Sequence, residues 1–483
     1  MTANPGPFLR NALWLVLAPV VSAPLSLLIN AITARYLGPT DFGTLYLAST
    51  YTGFAFVLVE WGQFGALTGK IAADRSRAGE LLGSAMMWRL AAAVVMAIVV
   101  LVLCALAGYG RPFLTVLILM FAAAGLGAAA AAGQDAVRGF ERTDFAALSY
   151  IGQQLLVGTI SISVLLLGFG LRGLLLGQVA SALIAVLFVL SMLPRLQIPR
   201  LRVRGETIVE LFRAGGPFLV FVLVVQLQPL VDGAMMSHFA SNEAIGWYAV
   251  SRRVIGIVIF PAVAIGGALY PTLVRQFATD REAARSTVQG ALRVLALGVF
   301  PVTLGCVLFP QLGVMIFNAR TFAPAEQNVR VLGIGLFLLY FSIPLSQCIN
   351  ASGRQGRWAA VQFGCVIVSA IADPWLISWF QADRNNGGLG VCVASVASEV
   401  LMVIGGAFLL PKGILNWADL QQLRSPALAG VAMVVVGLLA GRYGVLYGAV
   451  LSVLSYAAVL WATGELRGAR LRSLLGMLHR RPA

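Results

Sequence analysis

Apolar stretches about as long as a bilayer is thick recur along this whole sequence, and nothing constrains its fold more. A helix needs about 20 apolar residues to cross the hydrocarbon, where no water is present to hydrogen-bond a bare backbone. Fourteen such runs can be drawn: 12–36, 42–68, 84–108, 112–133, 146–169, 173–193, 214–238, 245–271, 287–310, 330–350, 358–380, 389–410, 426–441 and 443–463. The chain of 483 residues is 59% hydrophobic and only 11% charged, against about 25% charged in a soluble domain. These runs predict an all-α polytopic membrane protein.

Charge fixes the orientation. Cytoplasmic loops carry the excess of Lys and Arg. With the N-terminus inside, 23 of the 34 basic residues fall in inner segments and 7 in outer ones. A missed span would scramble that asymmetry, so fourteen spans with both termini cytoplasmic is the expectation. The net charge of +15 then reflects topology. Its arginines sit in short gaps with no interleaved aromatic platform, which argues against nucleic acid. Arg10 precedes an apolar stretch to Ala34, longer than a signal-peptide core of about 7–15 residues, so it reads as the first span. The five cysteines lie in or beside apolar runs and form no C-x-x-C pair, which implies neither zinc nor a disulfide framework.

The most polar internal stretch, "PRLQIPRLRVRGETIVELFRAGG" (194–216), divides the runs. Six spans precede it, and the second half of the chain echoes them. "NAITARYLGPTDFGTLYL" (30–47) falls on "GAMMSHFASNEAIGWYAV" (233–250), with Arg35 on His238 and Gly43 on Gly246. Arg89 pairs with Arg293, and "RGFERTDFAA" (138–147) falls on "SGRQGRWAA" (352–360), with Gly139 on Gly353. The offset drifts slowly from 203 to about 217, in order, as an internal repeat would. Six spans per half is an even number, so the repeat is parallel, with a binding cavity expected between two lobes. The expected organisation is a lobe at 1–193, a basic cytoplasmic linker with a short amphipathic helix at 194–213, a second lobe at 214–410, an extra transmembrane hairpin at 411–463 and a basic cytoplasmic tail at 464–483.

Four segments together carry a family resemblance: "ARYLGPTDFGTLYL" after span one, "VRGFERTDFAA" after span four, "VDGAMMSHF" then "IGWYAVSRRV" across spans seven and eight, and "INASGR" after span ten. Over roughly 10–410 the chain resembles bacterial oligosaccharide flippases of the polysaccharide-transport type, in the multidrug/oligosaccharidyl-lipid/polysaccharide exporter superfamily. The resemblance implies two six-helix lobes around a central cavity. It also implies movement of a polyprenyl-diphosphate-linked glycan to the outer leaflet of the bacterial inner membrane, with polymerase and chain-length proteins as further partners. Fourteen spans also resemble the peptidoglycan lipid-precursor flippases, whose extra pair is thought to line a groove for the lipid tail.

Charge deep in a membrane is costly and marks candidate sites. An anionic diphosphate calls for cations, and a glycan for amides and aromatics. Arg252 and Arg253 lie inside span eight, with Asp232 at similar depth on span seven as an expected ion-pair partner. The resemblance favours Arg253 for diphosphate contact or gating; snorkelling is the plainer alternative. Arg35 suits an interfacial anchor, and Arg89 and Arg293 either snorkel or form an inner gate. Glu60, Trp61 and Gln63, in "VEWGQFG", form a candidate sugar-facing or proton-coupling cluster. Asp373 precedes Pro374, a helix kink by default, and Glu399 lies near mid-membrane with no partner evident in sequence. Gln226, Gln228, Gln153, Gln154, Asn30 and Trp247 read as helix–helix glue.

There is no phosphate-binding loop of the Walker type, and only His238 and His479 are available for imidazole chemistry, so no enzyme, metal or cofactor is expected. A flippase is the leading expectation. The alternatives are a cation-coupled multidrug exporter, disfavoured because span one holds no acid, and a peptidoglycan lipid-precursor flippase.

Overall fold

The computed structural model describes residues 5–195, 198, 200–414, 421 and 423–465. All regular structure there is helical, with no strand. In lipid that is the economical solution, because a helix satisfies its own backbone. The chain divides into two compact units, Met1–Ala234 and Met235–Ala483.

The first unit begins with α1 (Pro5–Glu60), continued by α2 (Gln63–Ala73). Then come α3 (Ala78–Leu106), α4 (Arg111–Gly139), α5 (Thr143–Leu166), α6 (Gly170–Met192) and α7 (Gly205–Phe239) as far as Ala234. The second unit holds the end of α7, then α8 (Asn242–Val258), α9 (Phe260–Thr279), α10 (Arg281–Leu308), the short α11 (Pro310–Val314) and α12 (Ala325–Ile349). It closes with α13 (Gln355–Arg384), α14 (Gly387–Leu409), α15 (Arg424–Ala440) and α16 (Val445–Ala462).

Ten of the described helical stretches are long and apolar enough to cross a membrane, or eleven when the bent pair α8–α9 is taken as one span. The expected fourteen therefore do not appear as fourteen separate helices. Two stretches run to 53 and 60 residues, about 80 and 90 Å at 1.5 Å per residue, far beyond a single crossing of about 30 Å. The first is interrupted at Gly38 (φ 72°) and again at Trp61–Gly62, the second at Gly353 (φ 79°). The expected turn at 38–41 is thus tighter than a loop: α1 passes through it with Gly38 alone out of helical geometry.

Large apolar side chains cover the outside. Leu106 is 80% exposed and Phe408 85%, which in water would be an aggregation surface and in lipid is a solvated one. Interiors are made close by small residues. A Cβ on Gly133 of α4 would come within 2.0 Å of Val189 on α6, and one on Gly390 of α14 within 2.6 Å of the α13 backbone at Leu376–Ile377.

Two sequence expectations need correction. The short amphipathic helix near 205–213 is not separate, since α7 runs unbroken from Gly205 to Phe239. Nor does the first unit stop at the linker. Arg202 N–H donates to Gly79 O (3.2 Å) and Arg204 N–H to Ser84 Oγ (3.1 Å). Glu210 bridges Lys70 (2.6 Å) and Arg77 (2.9 Å), which hold its carboxyl below its ordinary range. These bonds tie the linker and the start of α7 to α2 and α3. The hairpin α15–α16 is anchored in the second unit by Tyr456 Oη donating to Leu297 O (2.8 Å) and by Arg293–Glu465 (2.8 Å). The expected tail lies outside the described residues from 466 onward.

Gly390→Ala should lower the thermal unfolding midpoint of the purified protein, because a methyl group forced against α13 costs about 1–3 kcal/mol. Gly127→Ala is the control: a Cβ there meets nothing within 4 Å, and its midpoint should hold or rise. Equal midpoints for the two variants would refute the close α13–α14 approach.

Candidate functional site

The first unit buries a polar cluster around a helix break. Span two does not run straight from 42 to 68. It breaks at Trp61 (φ 48°) and Gly62 (φ 66°), both left-handed, and resumes as α2 at Gln63. A bulky residue in that region is strained by order 1–3 kcal/mol and persists only when its surroundings hold it. Here the Trp61 ring lies 4.5 Å from that of Phe212, which meets Trp88 edge-on at 4.3 Å. Trp88 Nε1 donates to Val59 O (2.9 Å), just before the break. Gly215 is required beside it, since a Cβ there would stand 2.2 Å from Trp61 O. The start of α7 therefore clamps the break.

Glu60, Trp61 and Gln63 lie at this break, and Arg89 lies close enough for Glu60 to feel its charge. Arg89, from α3, is 1% exposed, so the snorkelling expected of it is overturned. Its Nη1 donates to Ala128 O (3.0 Å) and its Nη2 pairs with Asp135 Oδ2 (3.1 Å) on α4. Asp135 Oδ1 also pairs with Arg138 (3.2 Å), one turn on. Arg89 lies inside an apolar bundle, and this carboxylate is what makes its burial tolerable. Glu60, half-buried, feels the charges of both Arg89 and Asp135. Gln63 is 0% exposed with neither amide atom hydrogen-bonded, and Arg89 Nε is likewise buried and unbonded. Such groups normally have a partner; here Gln63 Oε1 and Nε2 and Arg89 Nε have none among the described residues. Gln134 Nε2 donates to Gln153 Oε1 (2.9 Å) between α4 and α5, whereas Asn30 Nδ2 donates to Ser26 O (2.7 Å) within α1.

Arg35 is exposed near the end of the first span. Asp232 is buried on α7 and accepts from Gln228 Nε2 (2.7 Å). In the second unit Arg252 and Arg253 are exposed on α8. Glu399 is not partnerless: it accepts from Ser342 Oγ (3.1 Å) and feels the charge of Arg252. Arg293 is half-buried and paired with Glu465 (2.8 Å). Asp373 is 0% exposed and accepts from Ser369 Oγ (3.3 Å), one turn back, while α13 continues through Pro374. Trp247 Nε1 donates to Thr321 O (3.1 Å), a structural contact. Sequence reasoning missed Asp135, whose place in "AAGQDAVRG" reads as an interfacial partner of Arg138, and the buried pair Asn328–Asn386 (3.0 Å).

Arg89→Ala would leave Asp135 with Arg138 alone and should destabilise the protein by about 1–3 kcal/mol. In a double-mutant cycle on thermal unfolding, Arg89→Ala with Asp135→Ala should cost clearly less than the two single changes together. Additivity within about 0.5 kcal/mol would refute the pairing.

A family model described as polysaccharide biosynthesis protein matches residues 8–277. No curated protein matches the chain. Among solved structures, the chain superposes on the lipid II flippase MurJ in an inward closed conformation with TM-score 0.73 and 13% identity, over 95% of this chain and 99% of that one. An inward-facing multidrug resistance MATE family transporter of the MOP superfamily gives TM-score 0.61 at 14% identity, over 84% of this chain and 95% of that one. A MOP superfamily transporter from Pyrococcus furiosus gives 0.55 at 14%, over 86% and 96%. These identities speak to fold, and the family match covers more than half of the chain. The chain thus belongs to the polysaccharide biosynthesis protein family, with the fold of MOP-superfamily flippases and transporters.

Proposed function

We propose that this protein is a flippase that carries a polyprenyl-diphosphate-linked oligosaccharide from the cytoplasmic to the outer leaflet of the bacterial inner membrane, for exopolysaccharide, O-antigen or capsule synthesis. Transport by alternating access of the two halves, with both termini cytoplasmic, belongs to this reading. So does a double crossing by each of the two longest helical stretches. The observation that carries it is the buried cluster of the first unit. It holds a guanidinium with Nε free and a glutamine amide with both atoms free, deep in an apolar bundle. Guanidinium and amide donors suit phosphate oxygens and sugar hydroxyls. Asp135, the acid beside Arg89, is shared between two arginines, so the positive charge there is not used up by one carboxylate.

Deletion in the native host should abolish surface polysaccharide, leave the wall intact and accumulate the lipid-linked oligosaccharide, read by mass analysis of extracted lipids. Accumulation of a peptidoglycan lipid precursor would transfer the reading to that substrate. Drug sensitivity with normal surface polysaccharide would sink it.

Within that reading, Arg253 engages the diphosphate and Glu60 couples transport to protons. Arg253→Ala should abolish export, with normal amounts in the membrane; unchanged export removes the arginine from the route. Glu60→Gln should erase the pH-gradient dependence of translocation in proteoliposomes, and a retained dependence removes Glu60 from coupling.

A further inference from the structure

The two halves repeat a small device at one end of their helices. In the first unit α2 ends at Asp74 (φ −143°, ψ 93°), whose carboxylate accepts from Ser76 N–H (3.0 Å). In the second α9 ends at Asp280 (φ −147°, ψ 103°), which accepts from Glu282 N–H (2.9 Å) and Ala283 N–H (3.1 Å). An arginine follows each aspartate, Arg75 and Arg281. Further on, each half turns a corner through one left-handed residue. This is Glu141 (φ 60°) between α4 and α5, and Gly353 (φ 79°) between α12 and α13.

The halves differ in what the corner contributes. In the first, Glu141 Oε2 meets Arg75 Nη2 at 3.3 Å. In the second the corner residue has no side chain. A cavity of about 490 Å³ lies there instead, lined by Arg281, Ser352, Gly353 and Arg354, with Val274 and Phe277 on its apolar wall. Among the described residues, no acid lines it. Arg281 Nη2 donates to Lys412 O (3.3 Å) and Arg354 Nη1 to Leu409 O (2.6 Å), so both bond to the end of α14 and the segment after it. Neither forms an ion pair among the described residues. The neighbouring acids are engaged, Asp280 as the helix cap and Glu282 with Arg285 (3.4 Å).

Two guanidiniums beside one cavity repel each other unless an anion sits with them, and each still has N–H groups to offer. Their planar forks match phosphate oxygens. The volume is in the range of ligand pockets, and the apolar wall accommodates the organic side of an ester. The alternation of Gly353 (φ 79°, ψ 15°) and Arg354 (φ −103°, ψ 18°) is the backbone geometry of an anion-binding concavity. We propose that this cavity in the second unit binds a phosphate-ester anion, which supplies there the negative charge that Glu141 supplies in the first.

The site predicts its own blocker. A Cβ on Gly353 meets nothing within 4 Å, and Glu141 shows that a glutamate tolerates the left-handed corner. Gly353→Glu should fill the cavity with the carboxylate of the first unit, and Gly353→Gln is its uncharged control. Full-length protein in detergent would be titrated with phosphatidylglycerol, with phosphatidylcholine and with inorganic pyrophosphate, reading bound ligand by native mass spectrometry and thermal shift. Loss of one charge-assisted contact set should weaken anion binding about tenfold in Gly353→Glu and in Arg281→Gln, and no more than about twofold in Gly353→Gln. Response to phosphatidylglycerol without pyrophosphate makes the ligand a lipid headgroup; response to pyrophosphate alone makes it a soluble phosphate, and either upholds the site. Equal binding by wild type, Gly353→Glu and Arg281→Gln overturns it. So does equal response to phosphatidylcholine and phosphatidylglycerol, or a Gly353→Gln loss as large as that of Gly353→Glu. Arg281→Gln keeps the test decisive if the corner variants fail to fold.

Discussion

In an apolar bundle a charge is tolerated only with its counter-charge beside it, and the first unit depends on one such pair. Arg89 and Asp135 take each other out of the hydrocarbon and join α3 to α4 as they do so. Removing Asp135 leaves the buried Arg89 without its ion-pair partner, and removing Arg89 leaves Asp135 only Arg138, a larger effect than loss of a surface pair. The same rule runs through the rest of the chain. Glu399 has Ser342 and the field of Arg252, Asp373 has Ser369, and Asp232 has Gln228. Gln63, with no bond at either amide atom, stands next to a break that a tryptophan is forced to make.

That break is costly in two ways. It places Trp61 in a left-handed conformation and it ends the intrahelical ladder partway along span two. The start of α7 offsets both, through the Phe212 ring against Trp61 and Trp88 and through Gly215 against the Trp61 carbonyl. The linker bonds to Gly79, Ser84, Lys70 and Arg77 hold that clamp in place. The linker is thus a packed part of the first unit, and the polar cluster depends on it although it contributes none of the cluster's charges.

Much of this fold was legible in the sequence, because hydropathy sums over about 20 residues and tolerates local error. The all-helical membrane class emerges that way, though not fourteen separate helices. Side-chain partners do not. Whether Arg89 snorkels or pairs depends on the rotation of α4 about its axis, which decides where Asp135 points, and composition carries no such information. The linker helix was mistaken for a separate element because its charges look like a loop; they are in fact matched by charges on α2 and α3. For the candidate site, Glu60 and Gln63 could be found as polar residues in an oily run, whereas Asp135 was masked by its nearness to Arg138.

The repeat shows how far sequence and structure can correct each other. Similarity alone sets Gly139 on Gly353, whereas backbone conformation sets Glu141 there, two residues on. The shift matters because it compares a carboxylate with an absence. Conformation has been kept at this corner while the charge has been exchanged for space, and the arginine after the aspartate cap stands in both halves. A glycine at a left-handed position is ordinarily explained by its backbone alone. Here the other copy shows that the backbone accepts a glutamate, so backbone geometry does not by itself require glycine at 353. What the glycine leaves is room beside Arg281 and Arg354, and room beside two guanidiniums favours an anion.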